Sequence, residues 1–424
     1  MTEYWIRCGA LVTGSGEPLL PDAVVHVADG MIAGVHAANE LPADIDADRI
    51  VDHSTATVVP GFVDAHVHLL FTCDVDHELT RASVEHSAPA QLALIGARNA
   101  MECLLGGVTT VRDCGDIGFT TLDIRDAISA GRLPGPRILA AGPPITTTGG
   151  HLHWCGNAAD SIDEIRKATR TLCTRGVDMI KVMASGGNMT RGSSKLQPQF
   201  QTHEMQVVVE EAHRLGRRVA AHALNTESIR RAVAAGVDTI EHCIWVNDKG
   251  EPDLDLDLVD EMARRPVSAT LTMAGIARVL LPDAEPADQV ELCAAHAMSA
   301  TGNLYDDFAF ARTMRAAGVH VSVASDAGVR FTPFREFGRT VECTMQALGV
   351  PFSEAIAMST LRSAESLGLA DRVGSIEAGK AADLVVLDGV ADEATRRIGP
   401  IRQVWRDGAL LVNNGQLAVP EVTS

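Results

Sequence analysis

Four times in this chain a helix-like segment ends in glycine, and valine follows at once to open an apolar run. The steps are Gly107-Val108, Gly176-Val177, Gly236-Val237 and Gly318-Val319. Glycine just past a helix accepts the left-handed backbone that stops it, and a β-branched residue suits the start of a strand. A recurring helix stop and strand start marks a repeated strand–helix unit. The apolar runs that fit are 58–70, 108–115, 137–143, 177–185, 218–224, 239–243, 267–272 and 321–328. They are continuously apolar rather than alternating, as expected of parallel strands covered on both faces. Ser161 with Glu164 forms a capping box for the helix before the fourth run. Eight such units predict an α/β protein built on a (β/α)8 TIM barrel, with its chemistry at the C-terminal strand ends. An open doubly wound sheet is the alternative, but no glycine-rich dinucleotide fingerprint follows the first run.

The two ends of the chain read differently. Residues 9–14, 22–30 and 31–37 are short alternating runs, and 381–389 and 401–415 return to that style with Asp-Gly and Asn-Gly turn signals. They predict a small β-sandwich made from both termini, residues 1–57 and 371–424, around a barrel at 58–370. The 424 residues suffice for both parts, since a barrel takes roughly 250 residues or more.

Lys+Arg 36 against Asp+Glu 55 leaves a net charge of -19. An acidic surface argues against nucleic acid or an anionic membrane as partner and leaves a small molecule as the expected one. No apolar run reaches the ~18–20 residues of a membrane span. The opening MTEYWIRCGALVTG lacks a basic region followed by an apolar signal core. Nine cysteines are scattered without a CxxC pair, which fits a reduced, cytoplasmic protein.

Against this background Lys181 is out of place, because it lies inside the apolar run VDMIKVMASGG and lysine is almost never fully buried without a partner. His66 and His68 share one face of the first run, since residues i and i+2 of a strand point the same way. His222 and His242 each sit near the end of a short run, and Asp326 lies near the end of the last. Neutral imidazoles suit zinc and similar metals. Four imidazoles, one carboxylate and one displaced lysine at strand ends point to a two-metal hydrolytic site.

VVPGFVDAHVHLL, the lysine in KVMASGG, the histidines in AAHA and IEHC, the aspartate in ASDAG and the tail GSIEAGKAADLVVLDG resemble the metal-dependent amidohydrolase superfamily over nearly the whole chain. TTTGGH, residues 146–151, and KVMASGG are similar to the branch of prolidase-like, Xaa-Pro dipeptidase-type enzymes and related amidases. The resemblance implies two divalent metal ions, with zinc expected, and an N-carboxylated Lys181 bridging them. His66, His68 and Asp326 would then hold one ion, and His222 and His242 the other. It further implies that a hydroxide bridging the two metals attacks an amide-type C–N bond without a covalent enzyme intermediate. Asp326 would take the proton and pass it to the leaving amine. His151 would polarise the substrate carbonyl. Arg191, in the loop after the fourth run, is a candidate grip for a substrate carboxylate. Trp154, Phe331 and Phe334 are candidates for an apolar wall.

One position departs from the pattern. Prolidase-like relatives often place a tyrosine two residues after the histidine of the fifth run, where it helps hold the substrate carboxylate, and here that residue is Leu224. The first expectation is a dipeptide or N-acyl amino acid substrate. An uncharged aryl urea, carbamate or anilide is the alternative that Leu224 opens. A single-metal deaminase is a rival reading. That branch generally lacks the bridging lysine and uses a glutamate in a His-x-x-Glu arrangement, whereas His222 leads into HALN. A non-catalytic barrel relative would be expected to lose metal ligands, and all six are present. Relatives of this kind often form symmetric assemblies, so a homo-oligomer is compatible with the resemblance.

Overall fold

The computed structural model describes residues 3–41, 45–275, 277, 281 and 304–418. The chain opens with β1 (Glu3–Leu11), β2 (Leu20–Ala28), β3 (Met31–Ala37) and β4 (Ile50–Pro60). The middle carries β5 (Phe62–Val67), β6 (Val108–Asp113), β7 (Arg137–Ala140), β8 (Met179–Met183), β9 (Arg218–His222), β10 (Thr239–Glu241), β11 (Ser268–Thr272) and β12 (His320–Ala324). Last come β13 (Leu384–Asp388), β14 (Ile401–Arg406), β15 (Ala409–Asn413) and β16 (Gln416–Leu417).

The middle strands pair in parallel with their sequence neighbours, β5 to β7 in one sheet and β8 to β12 in another. Isolated parallel bridges connect the two sheets on either side, Val67 with Ala327 and Ile145 with Val182. Helices between the strands, such as Ile162–Arg175 and Thr226–Ala235, bury Ile165, Leu172, Ile229 and Val233 in the same apolar core as the strands. Gly107, Gly176, Gly236 and Gly318 all adopt φ between 82° and 90°, so each Gly-Val step is a left-handed helix stop, as the sequence predicts. The capping box is also present, with Ser161 Oγ accepting from Glu164 N at 3.3 Å and the Glu164 carboxylate accepting from Ser161 N at 3.0 Å.

The run 58–70, expected as one strand, is divided. Its first residues complete β4, and β5 begins after Gly61. The backbone N–H of Gly61 donates to Asp383 O at 2.8 Å, and a Cβ here would lie 2.2 Å from Thr109 Oγ1. Glycine therefore lets one apolar run pass from one sheet to another where no side chain fits.

The strands of the two termini form one hydrogen-bonded sheet in the order β16-β15-β14-β13-β4-β1-β2-β3, rather than two separate sheets. Register shifts at Cys8/Ala10 in β1 and Val386/Leu387 in β13 mark bulges that strengthen its coil. The sheet folds over a core of its own that includes Ile6, Val25, Val58, Leu384, Val386 and Trp405. Arg137 at the start of β7 ties this sheet to the middle strands through Asp383 at 2.8 Å and Asp407 at 2.7 Å. No helix among the described residues is long and apolar enough to cross a membrane.

Candidate metal centre

The residues singled out by the sequence gather at the C-terminal ends of the middle strands. His66 lies within β5 and His68 just beyond it, Lys181 is the central residue of β8, and His222 ends β9. His242 follows β10 by one residue, and Asp326 follows β12 by two. All six line one cavity of about 200 Å³, together with His151 and Leu224.

The imidazole rings form a continuous chain. Ring centroids are 5.3 Å apart for His66 and His68, 4.8 Å for His66 and His242, 4.7 Å for His242 and His222, and 4.5 Å for His222 and His151. Each of the four strand-end histidines has an oxygen at one ring nitrogen. His66 Nδ1 meets Glu241 Oε2 at 2.8 Å, His68 Nδ1 meets Gly115 O at 3.3 Å, His222 Nε2 meets Gly186 O at 3.2 Å, and His242 Nδ1 meets Thr272 Oγ1 at 3.0 Å. A ring nitrogen that donates to oxygen leaves the other nitrogen with its lone pair, as a metal ligand requires. Asp326 Oδ1 lies 3.5 Å from His66 Nε2 and 3.7 Å from His68 Nε2. One donor atom from each of these three residues falls within 4.8 Å of the others.

Lys181 is 1% exposed, and its Nζ has no hydrogen-bond partner among the described residues. Its charge acts on all four strand-end histidines. Burial, aided by Lys181, pushes His68 and His242 down to about 3 and holds His66 well below the usual imidazole value. Burial and the neighbouring rings do the same for His222 and take His151 to about 3. Burial pushes Asp326 up to about 7, against the pull of Lys181. Its Oδ1 also lacks a hydrogen-bond partner. Neutral imidazoles around a carboxylate oxygen without a hydrogen-bond partner among the described residues fit a divalent metal site better than a closed protein interior. In metal-free protein these depressed imidazoles should stay neutral from about pH 8 down to about pH 5. Ring-nitrogen NMR checks this, and a site histidine titrating near its ordinary value would contradict it.

The backbone is bent to aim these groups. His242 has φ 65°, Cys243 φ 53° and Asp326 φ 62°, the left-handed region that non-glycine residues avoid at a cost of order 1–3 kcal/mol. The bends are held by Asp326 N donating to His66 O and His242 N donating to Thr270 O, both at 2.9 Å. Asp64 of β5 fastens the same corner, accepting from Ser325 N at 3.0 Å, from Ser325 Oγ and from His66 N at 3.3 Å. Burial pushes this carboxyl up to about 7, against those hydrogen bonds. His151 is seated against Gly187, where a Cβ would meet its ring at 2.5 Å.

Two expectations change. Arg191 is exposed and does not line the cavity, because its turn points to solvent. Arg330, four residues past Asp326 and half-buried, does line it. Trp154, Phe331 and Phe334 pack elsewhere, and Trp245, Phe308 and Phe310 supply the aromatic wall. Leu224 is buried on the cavity wall, its N–H donating to Ser185 Oγ at 3.0 Å. Asp64, Arg112 and Glu241 were missed, yet each carries the signal that exposed Lys181, a charge inside an apolar run.

The sequence profile of the amidohydrolase family matches residues 57–412. An ochratoxinase of Aspergillus niger is 30% identical over 269 residues, 58% of this chain and 55% of that one. The chain thus spans about half the length of this curated relative. The crystal structure of a Xaa-Pro dipeptidase with bound methionine superposes with TM-score 0.75 and 27% identity, over 96% of this chain and 99% of the other. Phenylurea hydrolase B shares the fold, with TM-score 0.80 and 24% identity over 100% and 99% of the two chains. A match over most of the chain, reached independently of the geometry above, places this protein in the amidohydrolase family.

Proposed function

We propose that this protein hydrolyses an amide-type C–N bond of a small molecule bound in the cavity, using two divalent metal ions, with zinc expected. The observation that carries the reading is the buried Lys181 amine, without a hydrogen-bond partner among the described residues, beside four neutral imidazoles and Asp326. His66, His68 and Asp326 would hold one ion, and His222 and His242 the other. Lys181 would join them as a carbamate, formed when its amine bonds to the carbon of CO₂ and loses a proton. Ions held there would supply Lewis acidity, lowering the pKa of a bound water and polarising the scissile carbonyl. Asp326 takes the proton of the attacking water and delivers it to the leaving nitrogen. His151 donates to the carbonyl oxygen as negative charge develops there.

The eight middle strands are read as one closed (β/α)8 barrel spanning 58–370, with the terminal sheet, 1–57 and 371–424, as a second domain. The bridges between the two parallel sheets and the likeness to solved amidohydrolase structures support this. The acidic net charge supports a small-molecule substrate, and the scattered cysteines without a CxxC pair support a cytoplasmic location.

Met183, Met189, Leu224, Trp245, Leu271 and Phe308 make the cavity wall largely apolar, and Arg330 adds a cation. An N-acyl amino acid or dipeptide with an apolar side fits both features, its carboxylate toward Arg330. A neutral aryl urea, carbamate or anilide is the second reading, favoured by Leu224 and by the likeness to phenylurea hydrolase B. The test is a hydrolysis screen pairing each carboxylate substrate with its neutral amide, alongside ureas and carbamates. On a carboxylate substrate, Arg330→Met should raise KM roughly 10–100-fold with kcat little changed, the effect of one lost charge-assisted hydrogen bond. Turnover of neutral ureas or carbamates alone would reverse the order of the two readings.

A further inference from the structure

Beneath the cavity lies a second set of charges that the chemistry above does not use. Glu241, the last residue of β10, is 0% exposed. Its carboxylate accepts from Arg112 Nη2 at 2.5 Å and Thr239 Oγ1 at 2.6 Å, and its other oxygen meets His66 Nδ1 at 2.8 Å. Arg112 comes from β6, is 3% exposed, and also donates through Nε to Ala65 O at 2.6 Å and through Nη1 to Thr239 Oγ1 at 3.1 Å. One network therefore crosses from β10 to β6 and β5, strands of different sheets, and ends on a single imidazole. A buried ion pair costs much of its attraction in desolvation, so stability alone explains it poorly.

The other three strand-end histidines have neutral oxygens at the hydrogen-bonded nitrogen, Nδ1 in His68 and His242 and Nε2 in His222: two backbone carbonyls and a threonine hydroxyl. Of the four, only His66 hydrogen-bonds a carboxylate among the described residues, at 2.8 Å, whereas the nearest carboxylate oxygen to His242 Nδ1, Asp326 Oδ2, is 4.0 Å away. The remaining polyvalent grouping, His66, Cys114 and Glu241, does not suit a cation. Burial pushes the Cys114 thiol up to about 12, and Glu241 is already spoken for by Arg112.

We propose that Glu241 and Arg112 are positioning residues that make His66 the strongest imidazole ligand of the centre. With Nδ1–H donated to Glu241, Nε2 keeps its lone pair on the Asp326 side, and an anionic partner makes that nitrogen a better donor. Arg112 holds the Glu241 carboxylate in place, so that it orients the ring and accepts its hydrogen bond. The tighter of the two ion sites is then the one formed by His66, His68 and Asp326. This inference rests on the metal-centre reading.

The test is zinc titration against a competing chelator, on metal-free wild type, Glu241→Gln and the double variant Arg112→Met/Glu241→Leu. Circular dichroism and thermal unfolding of each metal-free protein accompany it. The double variant removes both charges together and avoids stranding the arginine, so it keeps the test open should Glu241→Gln unfold. Both variants should bind the tighter zinc roughly 10–100-fold more weakly, and the second zinc with little change. A folded double variant with wild-type affinity for both ions would overturn the proposal, whatever its unfolding temperature. Wild type that binds no zinc would overturn the metal-centre reading itself, and that result appears before any variant is compared.

Discussion

Asp326→Asn is expected to lower kcat by about 10²–10⁴-fold, the usual contribution of a positioned proton-transfer group, with the fold retained. The substitution isolates the side chain's proton chemistry. Asp326 has φ 62°, and asparagine tolerates the left-handed region better than most other residues. The backbone bond from Asp326 N to His66 O at 2.9 Å does not involve the side chain. What the amide cannot do is take a proton from water and pass it to the leaving nitrogen. Burial pushes the carboxyl up to about 7 in the absence of metal, and bound cations would lower it again. Steady-state kinetics with metal analysis on the same sample check the expectation. A variant with near-normal kcat would mean that another group moves the proton.

Lys181→Ala should cost more. On the two-metal proposal, losing the shared ligand releases one ion and reduces kcat/KM by roughly 10³-fold or more, since metal polarisation supplies several kcal/mol to the transition state. The metal-free protein, by contrast, should unfold at nearly the wild-type denaturant concentration. Alanine sacrifices the packing of the lysine stem, but it also removes a buried amine that has no hydrogen-bond partner, and the two changes oppose each other. This divergence between activity and stability is what distinguishes a ligand from a core residue. Full two-metal occupancy in the variant would remove Lys181 from the centre.

The parts of this protein legible in its sequence are those set by local rules. The left-handed glycines at 107, 176, 236 and 318 are required by the backbone at helix ends, so the strand–helix repeat is visible without tertiary information. The cluster is legible for a related reason. Charged and imidazole side chains inside apolar runs are costly unless they share a purpose, and parallel strands bring their C-terminal ends to one face. The division at Gly61 was hidden because it depends on the close approach of Thr109 from another strand. Arg191 and Arg330 look alike as loop residues, and only the packed structure shows that Arg330 reaches the cavity. The aromatic wall moved from Trp154, Phe331 and Phe334 to Trp245, Phe308 and Phe310 for the same reason, since loop conformation is decided by contacts distant in sequence. Glu241 and Arg112 could have been found by the argument that found Lys181, but their pairing across β10 and β6 could not.

The most direct test of the account is the anomalous difference map of a crystal grown with zinc and bicarbonate, recorded at the zinc edge. The account predicts two peaks within the cluster formed by His66, His68, Lys181, His222, His242 and Asp326, with density extending from the Lys181 amine between them. A single peak beside an unmodified lysine, or zinc bound elsewhere, would contradict it.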